Sequence, residues 1–149
     1  MANVILTTDG ACIGNPGPGG WACVLRCNEA KSEIFGSERH TTNNRMELRA
    51  VIAGLTALKT ACEVTLNTDS QYVKNGITQW MKKWKANGWL TSEKKPVLNQ
   101  ELWLELDEAV HRHNIHWQWV KGHATHADNI RCDQLAFEAA KKQISSPKA

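Results

Sequence analysis

The sequence predicts an α/β fold in which helices pack against a mixed β-sheet. Three strand-like segments come first, close enough along the chain to pair antiparallel. Two later strand-like segments are separated by helical segments, a spacing that favours parallel pairing through crossover connections. The 149 residues are enough for one domain of this kind and too few for two domains of ordinary size.

The first three strands lie in the N-terminal part of the chain. An apolar run over residues 3–8 predicts a strand that stops at Asp9, and the glycines and prolines of GACIGNPGPGGWA predict a tight loop after it. Residues 21–27 and 31–39 predict the second and third strands, with Asn-Glu-Ala as the turn between them.

The stretch TTNNRMELRA, residues 41–50, predicts the start of a helix, because Thr and Asn cap helices and good helix formers follow. The apolar residues there have the i, i+3, i+4, i+7 spacing of a buried helix face, and they are Leu48, Val51, Ile52, Leu55 and Leu58. Glu47 lies on the flank of this stripe, where a carboxylate is either a boundary residue or part of a site.

Five further elements are predicted in the second half of the chain. They are a strand over residues 62–70 that reaches Asp69, a helical region over 70–87, a helix over 99–113, a strand over 115–120 and a helix over 127–143. Gly76 predicts a break inside the helical region. We expect a single domain over residues 1–142 and a flexible C-terminal tail over 143–149.

Composition argues against several classes of protein. No apolar run reaches the roughly 18–20 residues of a membrane span, and the N-terminus lacks the basic segment of a signal peptide, so we expect a cytoplasmic protein with no membrane partner. The five cysteines show no CxxC or zinc-finger spacing, which favours reduced thiols over a disulfide framework or structural zinc. No long apolar edge or zipper is visible, and a monomer is the default expectation.

Basic residues are concentrated in one segment. Between residues 74 and 95 a single acid, Glu93, accompanies six lysines: Lys74, Lys82, Lys83, Lys85, Lys94 and Lys95. A local basic surface suggests a polyanionic partner such as a nucleic acid, although a run of charge is also typical of a solvated face.

Two strands are predicted to end in an aspartate. Asp9 and Asp69 each stand where a strand meets a loop, and parallel neighbouring strands would bring both carboxylates to one sheet edge, where α/β proteins bind ligands. The alternatives are a turn role for Asp9 and a helix-cap role for Asp69.

Two helices each bring one acid to the margin of a buried face. Asp133 lies beside the packing face of the last helix, as Glu47 does in the first, and that packing face consists of Cys132, Leu135, Ala136, Ala139 and Ala140. Convergence of four carboxylates would be costly without a cation, because like charges raise one another's pKa. Hard divalent ions take oxygen ligands, and a pair of them can activate water for phosphodiester hydrolysis.

Two histidines lie between the last strand and the last helix, in VKGHATHADN. The spacing of His123 and His126 admits a metal pair, but zinc sites usually need more ligands than are grouped here. Surface histidines without a role and a proton-transfer residue beside the acids remain the other interpretations.

Several motifs, taken together and in order, resemble bacterial type 1 ribonuclease H over almost the whole chain. They are TDGACIGNPGPGGWA, TTNNRMEL, TDSQYV, GITQW, NGW, KKPV, LW, WVKGHATH and RCDQLA. The resemblance implies the ribonuclease H-like fold, with a five-stranded mixed sheet. It also implies endonucleolytic hydrolysis of the RNA strand of RNA–DNA hybrids, leaving 5′-phosphate and 3′-hydroxyl ends.

The resemblance also implies roles for particular residues. The metal-binding catalytic acids of the family fall on Asp9, Glu47, Asp69 and Asp133, with Mg²⁺ as the expected cofactor, Mn²⁺ as a substitute and two ions in the substrate complex. The flexible-loop histidine of the family falls on His123, where it would assist proton movement or product release.

The resemblance also implies which residues contact the substrate. Minor-groove contacts fall on Cys12, Asn15, Asn43, Asn44 and Gln71, with Thr42 beside them; amides suit a groove lined by 2′-hydroxyls. A phosphate-contacting position falls on His40, where the family often has arginine. A histidine is charged mainly below about pH 6.5, so this contact would be weaker at neutral pH.

The segment QWMKKWKANGW resembles the substrate-binding handle of the family. Trp80 and Trp84 share one helix face, and Lys82, Lys83 and Lys85 around them favour contact with the DNA strand. Core packing is the other interpretation of such a pair, and it is the one expected for Trp89, Trp103, Trp117 and Trp119.

Two other functions were weighed against a hybrid-specific nuclease. A non-catalytic hybrid-binding module is disfavoured because all four acids and the loop histidine are present. A nuclease or integrase core acting on DNA is disfavoured by the Asn and Gln set and by the handle. The sequence departs from the commonest loop pattern at Ile130, where an acid is frequent, which affects the His123 loop.

Overall fold

A five-stranded mixed sheet with helices on both faces forms the fold of this chain. The computed structural model describes residues 1–120 and 127–145. The strands are β1 (Ala2–Cys12), β2 (Gly17–Cys27), β3 (Ala30–Thr41), β4 (Cys62–Thr68) and β5 (Asn114–Trp119). The helices are α1 (Asn43–Ala57), α2 (Gln71–Asn75), α3 (Met81–Ala86), α4 (Gln100–His111) and α5 (Ala127–Ser145), and a π-helical turn (Gly76–Trp80) joins α2 to α3.

The sheet has the strand order β3-β2-β1-β4-β5 and the mixed pairing that the sequence predicts. The first three strands pair antiparallel, whereas β4 pairs parallel with both β1 and β5. A tight turn joins β2 to β3, and its Asn28 has a φ of 56°, a left-handed conformation that asparagine tolerates well. Among the helices described, none has the length and hydrophobicity of a membrane span.

Strand β1 is longer than the sequence predicts, so the expectation that it stops at Asp9 is wrong. The parallel pairing with β4 ends at Thr7 opposite Asn67, but the antiparallel pairing with β2 continues to Cys12 opposite Gly19. Because β2 follows directly and supplies backbone partners, the glycine-containing segment stays extended. Asp9 therefore lies inside β1, just beyond the point where its parallel neighbour ends.

The alternating side chains of β2 separate two hydrophobic layers. Cys23 and Leu25 belong to the main core, which α1 and α4 cover on one face. Ala22 and Val24 pack against α5 on the other face, where Gly20 lets the helix backbone approach so closely that a Cβ would collide with the carbonyl oxygen of Ala136. The buried members of the predicted faces are Leu48, Val51, Ile52 and Leu55 in α1 and Cys132, Leu135, Ala136, Ala139 and Ala140 in α5. Leu58, which was predicted on the same face, follows the end of α1 and is only partly buried.

The α-helix ends at Gly76, where the sequence predicts a break, but the chain stays helical. The chain continues from α2 through the π-helical turn into α3, with Gly76 in ordinary right-handed conformation. A Cβ at Gly76 would collide with the indole ring of Trp103, which is fully buried. Glycine is therefore required here by the close approach of an aromatic ring and not by a turn.

Several tryptophans surround that contact. Trp103 is in the core as predicted, and Tyr72, Trp80, Trp84 and Trp89 form an aromatic cluster with it in which neighbouring ring centroids are 5.3 to 6.2 Å apart. Trp89, Trp117 and Trp119 are partly buried and pack against the core, which agrees with their predicted packing role. The rings of Trp117 and Trp119 stack with an angle of 13° between their planes.

The last helix extends past the predicted start of the tail. Helix α5 continues to Ser145, whereas the sequence placed the tail at residue 143. The side-chain amide of Gln143 donates a hydrogen bond of 2.8 Å to Ser37 Oγ on β3, which ties this turn of the helix to the sheet. The remainder of the predicted tail, residues 146–149, lies outside the described residues.

Substituting Gly76→Ala should destabilise the protein by about 1–3 kcal/mol, because the added methyl group must displace the buried Trp103 ring. Urea unfolding followed by tryptophan fluorescence measures the change. Ala86→Ser, which adds one atom at an exposed position of α3, is the matched control and should change stability by less than about 0.5 kcal/mol. A Gly76→Ala protein as stable as the control would contradict the packing account.

Candidate active site

The first turn of α1 rests directly on β1 at Gly10. A Cβ at this glycine would lie 2.5 Å from the backbone nitrogen of Glu47, so only glycine allows the approach. Thr42 caps the helix, and its hydroxyl oxygen accepts a hydrogen bond of 3.2 Å from the backbone N–H of Arg45. Glu47, which follows directly after the first turn of α1, therefore extends towards Asp9 on β1.

Asp69 reaches the same place from the end of β4. The alternative that Asp69 caps the next helix is wrong, because Ser70 is the cap of α2 and its Oγ accepts from the backbone N–H of Val73 at 3.1 Å. Carboxylate oxygens of Asp9, Glu47 and Asp69 lie within 4.8 Å of one another. We call these three residues the acid cluster, and their convergence follows from the parallel pairing of β1 with β4.

Asp133 flanks the acid cluster but is not part of the 4.8 Å group. It lies half-buried on α5, beside the packing face of that helix, and its negative charge contributes to raising the pKa of Asp9. Of the four acids that the sequence singles out, three therefore meet and the fourth lies within electrostatic range.

Burial and mutual repulsion raise the pKa values of Asp9 and Glu47 in the acid cluster. Asp9 is only 6% exposed, and its pKa is raised to about 8, chiefly by burial and in addition by the charges of Asp69, Asp133 and Glu47. The backbone N–H of Gly10, which donates to Asp9 Oδ1 at 2.9 Å, opposes this shift. The pKa of Glu47 is likewise raised to about 7, chiefly by burial and also by the charge of Asp69, and a hydrogen bond from Ser70 opposes this shift.

The acid cluster fits a hard divalent cation. Three carboxylates within one coordination distance offer only oxygen ligands, the set that Mg²⁺ and Mn²⁺ prefer. The raised pKa values show that the fully ionised state is unfavourable in this partly dry environment. A bound cation would remove that cost, so Asp9, Glu47 and Asp69 are suited to hold one.

Hydrogen bonds connect several of the residues predicted to contact substrate, at the end of β1, in the β1–β2 turn and at the start of α1. Asn15 Oδ1 accepts a hydrogen bond of 3.1 Å from the backbone N–H of Asn43, which joins the β1–β2 turn to the start of α1. The Cys12 thiol donates to the backbone oxygen of Thr41 at 3.4 Å. Exposed or half-buried nearby are His40, Thr42, Asn44 and Gln71.

The basic segment combines packing with exposure. Trp80 and Trp84 are only partly buried, and their ring centroids are 5.8 Å apart. Part of each ring therefore packs against its neighbours, and part is accessible to a partner. Lys82 and Lys83 are exposed, whereas Lys85 Nζ lies 2.7 Å from Asp107 Oδ1. The contact of this segment with nucleic acid stays a prediction.

Sequence reasoning missed two residues on which the site depends. Gly10 permits the contact between β1 and α1, and Ser70 both caps α2 and hydrogen bonds to Glu47. The signal for Ser70 was available, since serine directly before a helix is a common cap. No local pattern indicates the role of Gly10. The predicted His123 and His126 lie outside the described residues.

Comparison with known proteins identifies the family. A family model described as RNase H matches residues 1–141. The ribonuclease H of Solibacter usitatus is 59% identical over 146 residues, which are 98% of this chain and 100% of that protein. The ribonuclease H of Hydrogenovibrio crunogenus is 60% identical over 139 residues, covering 93% of this chain and 96% of that one.

A solved structure supports the same assignment. LC9-RNase H1, a type 1 RNase H with the type 2 active-site motif, superposes with a TM-score of 0.86 at 35% identity, covering 95% of this chain and 74% of that one. The chain belongs to the ribonuclease H family. It is accordingly a hydrolase, an endoribonuclease that acts on RNA–DNA hybrids.

Substituting Asp9→Asn should stabilise the metal-free protein at alkaline pH. Since the pKa of Asp9 is raised from 3.8 to about 8, the folded state keeps a proton that the unfolded state releases, and stability falls as pH rises through this interval. Asparagine removes that penalty, so the gain should be about 1 kcal/mol or more at pH 8 and close to zero near pH 4.

Urea unfolding in EDTA at both pH values measures this gain. Asp107→Asn is the matched control, because this half-buried aspartate pairs with Lys85 and should not gain stability when its charge is removed. A loss of stability for Asp9→Asn at pH 8 would contradict the electrostatic account of the acid cluster.

Proposed function

We propose that the acid cluster is a two-metal active site that cuts the RNA strand of RNA–DNA hybrids and leaves 5′-phosphate and 3′-hydroxyl ends. The convergence of Asp9, Glu47 and Asp69 within 4.8 Å is the observation that carries the proposal. Mg²⁺ is the expected ion and Mn²⁺ a substitute, since both accept an all-oxygen ligand set.

Different residues of the site would bind the ions, orient a ligand and move a proton. Asp9, Glu47 and Asp69 would hold the ions, with Asp133 as a fourth acid from the opposite layer. Such ions supply activation of a water nucleophile and stabilisation of the leaving oxygen. Ser70 keeps the Glu47 carboxylate oriented through its hydrogen bond. His123 would carry a proton or assist product release.

Discrimination against other duplexes would come from the polar residues beside the cluster. Asn15, Asn43, Asn44, Gln71 and the Cys12 thiol would line the minor groove, where amides both donate to and accept from 2′-hydroxyls. The hydrogen bond between Asn15 and Asn43 holds the two parts of this surface together. Thr42 would contact the substrate beside these residues, and His40 would contact a phosphate. Duplex DNA, which has no 2′-hydroxyls on either strand, would lose these contacts, and recognition of deoxyribose shape on the other strand would disfavour duplex RNA.

The basic segment would position the DNA strand without reading its sequence. Lys82 and Lys83 are exposed for phosphate contact, and Trp80 and Trp84 border an apolar depression of about 300 Å³ that Tyr72 and Leu98 complete. Lys85 would act there only after leaving Asp107. Contacts to phosphate and sugar set register and carry no base specificity.

The proposal includes a monomeric protein in the cytoplasm. The cysteine spacing, which favours reduced thiols, supports this location. Analytical ultracentrifugation at micromolar concentration tests the monomer directly.

A cleavage assay tests the substrate and the metal. It compares a labelled RNA–DNA hybrid, duplex DNA and duplex RNA, each with Mg²⁺ or with EDTA. We expect cutting of the RNA strand of the hybrid only, abolished by EDTA. Glu47→Gln and Asp69→Asn should each lower the rate on the order of 1000-fold, because metal contacts contribute several kcal/mol. Glu108→Gln, at an exposed acid of α4, is the control that should retain full rate.

Two outcomes of this assay would refute the proposal. Equal cutting of duplex DNA would refute the substrate assignment. Full Mg²⁺-dependent activity of Glu47→Gln would show that its place beside Asp9 is incidental.

Substituting His40→Arg should tighten hybrid binding several-fold at pH 7.5, since arginine carries a permanent charge at an exposed end of β3. The dissociation constant is measured by fluorescence anisotropy in EDTA, and its salt dependence should steepen by about one phosphate contact. His116→Arg adds the same charge on β5, where it faces Glu63, and should have little effect. An unchanged dissociation constant for His40→Arg would exclude a phosphate contact at this position.

A further inference from the structure

Two arginine–carboxylate pairs join the start of α5 to β2 and β3. Arg26 on β2 donates to Asp128 on α5 through Nε at 2.7 Å and through Nη2 at 2.9 Å. Arg131 on α5 donates in the same way to Glu33 on β3, at 2.8 and 3.0 Å. A guanidinium group that makes two parallel hydrogen bonds to one carboxylate fixes both the distance and the orientation of its partner. We call these four residues the α5 clamp.

The two pairs of the α5 clamp have opposite polarity. The helix contributes the acid in the pair with Arg26 and the base in the pair with Glu33. A displacement of α5 by one turn would bring Arg131 towards Arg26 in one direction, and in the other direction it would bring two carboxylates together. Because both displacements place like charges side by side, the clamp favours a single register of α5 on the sheet.

The apolar face of α5 constrains that register less firmly. Its buried apolar residues other than Leu135 are small, and they are Cys132, Ala136, Ala139 and Ala140. The helix backbone at Ala136 lies against Gly20 of β2, so this contact involves no large side chain. A packed helix is held in register by side-chain ridges that enter grooves, and small side chains form shallow ridges. The charged pairs at the edge of the helix therefore add a constraint that the packing face lacks.

Asp133 lies on the flank of α5 that faces away from the clamp. At about 100° per residue, the Asp133 and Arg131 side chains point about 160° apart around the helix axis. The clamp holds the flank that lies over β2 and β3, whereas Asp133 is half-buried and within electrostatic range of Asp9. A roll of α5 that opened the clamp would therefore change the distance from the Asp133 carboxylate to the acid cluster.

The α5 clamp is remote from the acid cluster. Arg26 stands four residues along β2 from Ala22, the residue that pairs with Asp9, so about 13 Å of strand separate the clamp from this acid. The clamp residues also lie outside the set proposed to contact the hybrid. Because the Arg26 and Arg131 side chains are 44% and 42% exposed, breaking one pair should leave the protein folded. An effect of the clamp on catalysis would therefore act through the position of α5.

We propose that the residues of the α5 clamp are positioning residues, which set the register and roll of α5 so that Asp133 completes the metal site of the acid cluster. This proposal rests on the proposed function of the acid cluster. A ligand carboxylate that is displaced by about 1 Å binds an ion less tightly. Loss of the clamp should therefore raise the Mg²⁺ requirement of the reaction and leave KM for the hybrid almost unchanged, because the proposed hybrid contacts lie on other elements.

Reversing the charge at Glu33 tests the proposal. We expect Glu33→Arg to raise the Mg²⁺ concentration that gives half of the maximal kcat by about three- to tenfold, with KM for the hybrid within about twofold of the unaltered protein. Glu29→Arg, the same charge reversal at an exposed position of the β2–β3 turn, is the matched control and should leave both quantities unchanged.

Binding of Mn²⁺ to the substrate-free protein gives a second readout that does not depend on turnover. In isothermal titration calorimetry, the dissociation constant for Mn²⁺ should rise in Glu33→Arg by the same factor as the Mg²⁺ requirement, and it should not rise in Glu29→Arg. A clamp that only stabilised the fold would lower the melting temperature without changing this constant, and that result would overturn the proposal.

Exchanging the two charges of one pair separates positioning from a long-range effect of charge. Combining Glu33→Arg with Arg131→Glu restores an ion pair of reversed polarity and should return the Mg²⁺ requirement to within about twofold of the unaltered protein. A direct electrostatic effect of residue 131 on the acid cluster would persist in this double variant and would refute positioning by the clamp. An unchanged Mg²⁺ requirement in Glu33→Arg, or an equal rise in Glu29→Arg, would refute it as well.

Circular dichroism melting curves establish that each variant is folded before metal dependence is compared. Arg26→Gln breaks the other pair and should raise the Mg²⁺ requirement in the same direction, so it carries the test if Glu33→Arg does not fold. If the unaltered protein does not cut the hybrid, the proposed function itself fails. If it cuts and the clamp variants keep its metal dependence, only the role of the clamp fails.

Discussion

The close approach of α1 to β1 at Gly10 is the constraint on which the site depends. The backbone of Met46 and Glu47 occupies the space where any side chain at residue 10 would project. This contact brings a helix carboxylate beside the strand carboxylate of Asp9. The buried side of α1, with Met46 and Leu48 fully enclosed, keeps the helix from moving away.

The same arrangement places like charges where water is scarce, and the rest of the fold offsets that cost. Raised pKa values at Asp9 and Glu47 mean that the metal-free site opposes full ionisation. Two hydrophobic layers, one under α1 and α4 and one under α5, hold the acids together despite this repulsion. Buried carboxylates that repel one another in the absence of a positive charge are well suited to bind a cation.

The surfaces proposed for substrate binding and for chemistry are connected. The aromatic cluster grows from Trp103, whose ring fills the space left by Gly76. The helix that carries the basic residues therefore packs against a buried tryptophan and is not part of a free loop. Hydrogen bonds from Arg45 to Asn99 and from Asn99 to Tyr72 connect this support to the helix that carries Glu47.

The sequence by itself determined the order of the elements, the mixed pairing, the buried helix faces and the acids of the site. These follow from periodicity and from polar residues at strand ends, which are local patterns. Only the tertiary structure decided that Asp9 lies within β1, that Ser70 and not Asp69 caps α2, and that Gly76 faces an indole ring. Each of these depends on a neighbour distant in sequence or on competition between adjacent groups, as with Gly76 and Trp103, and no local pattern encodes such a contact.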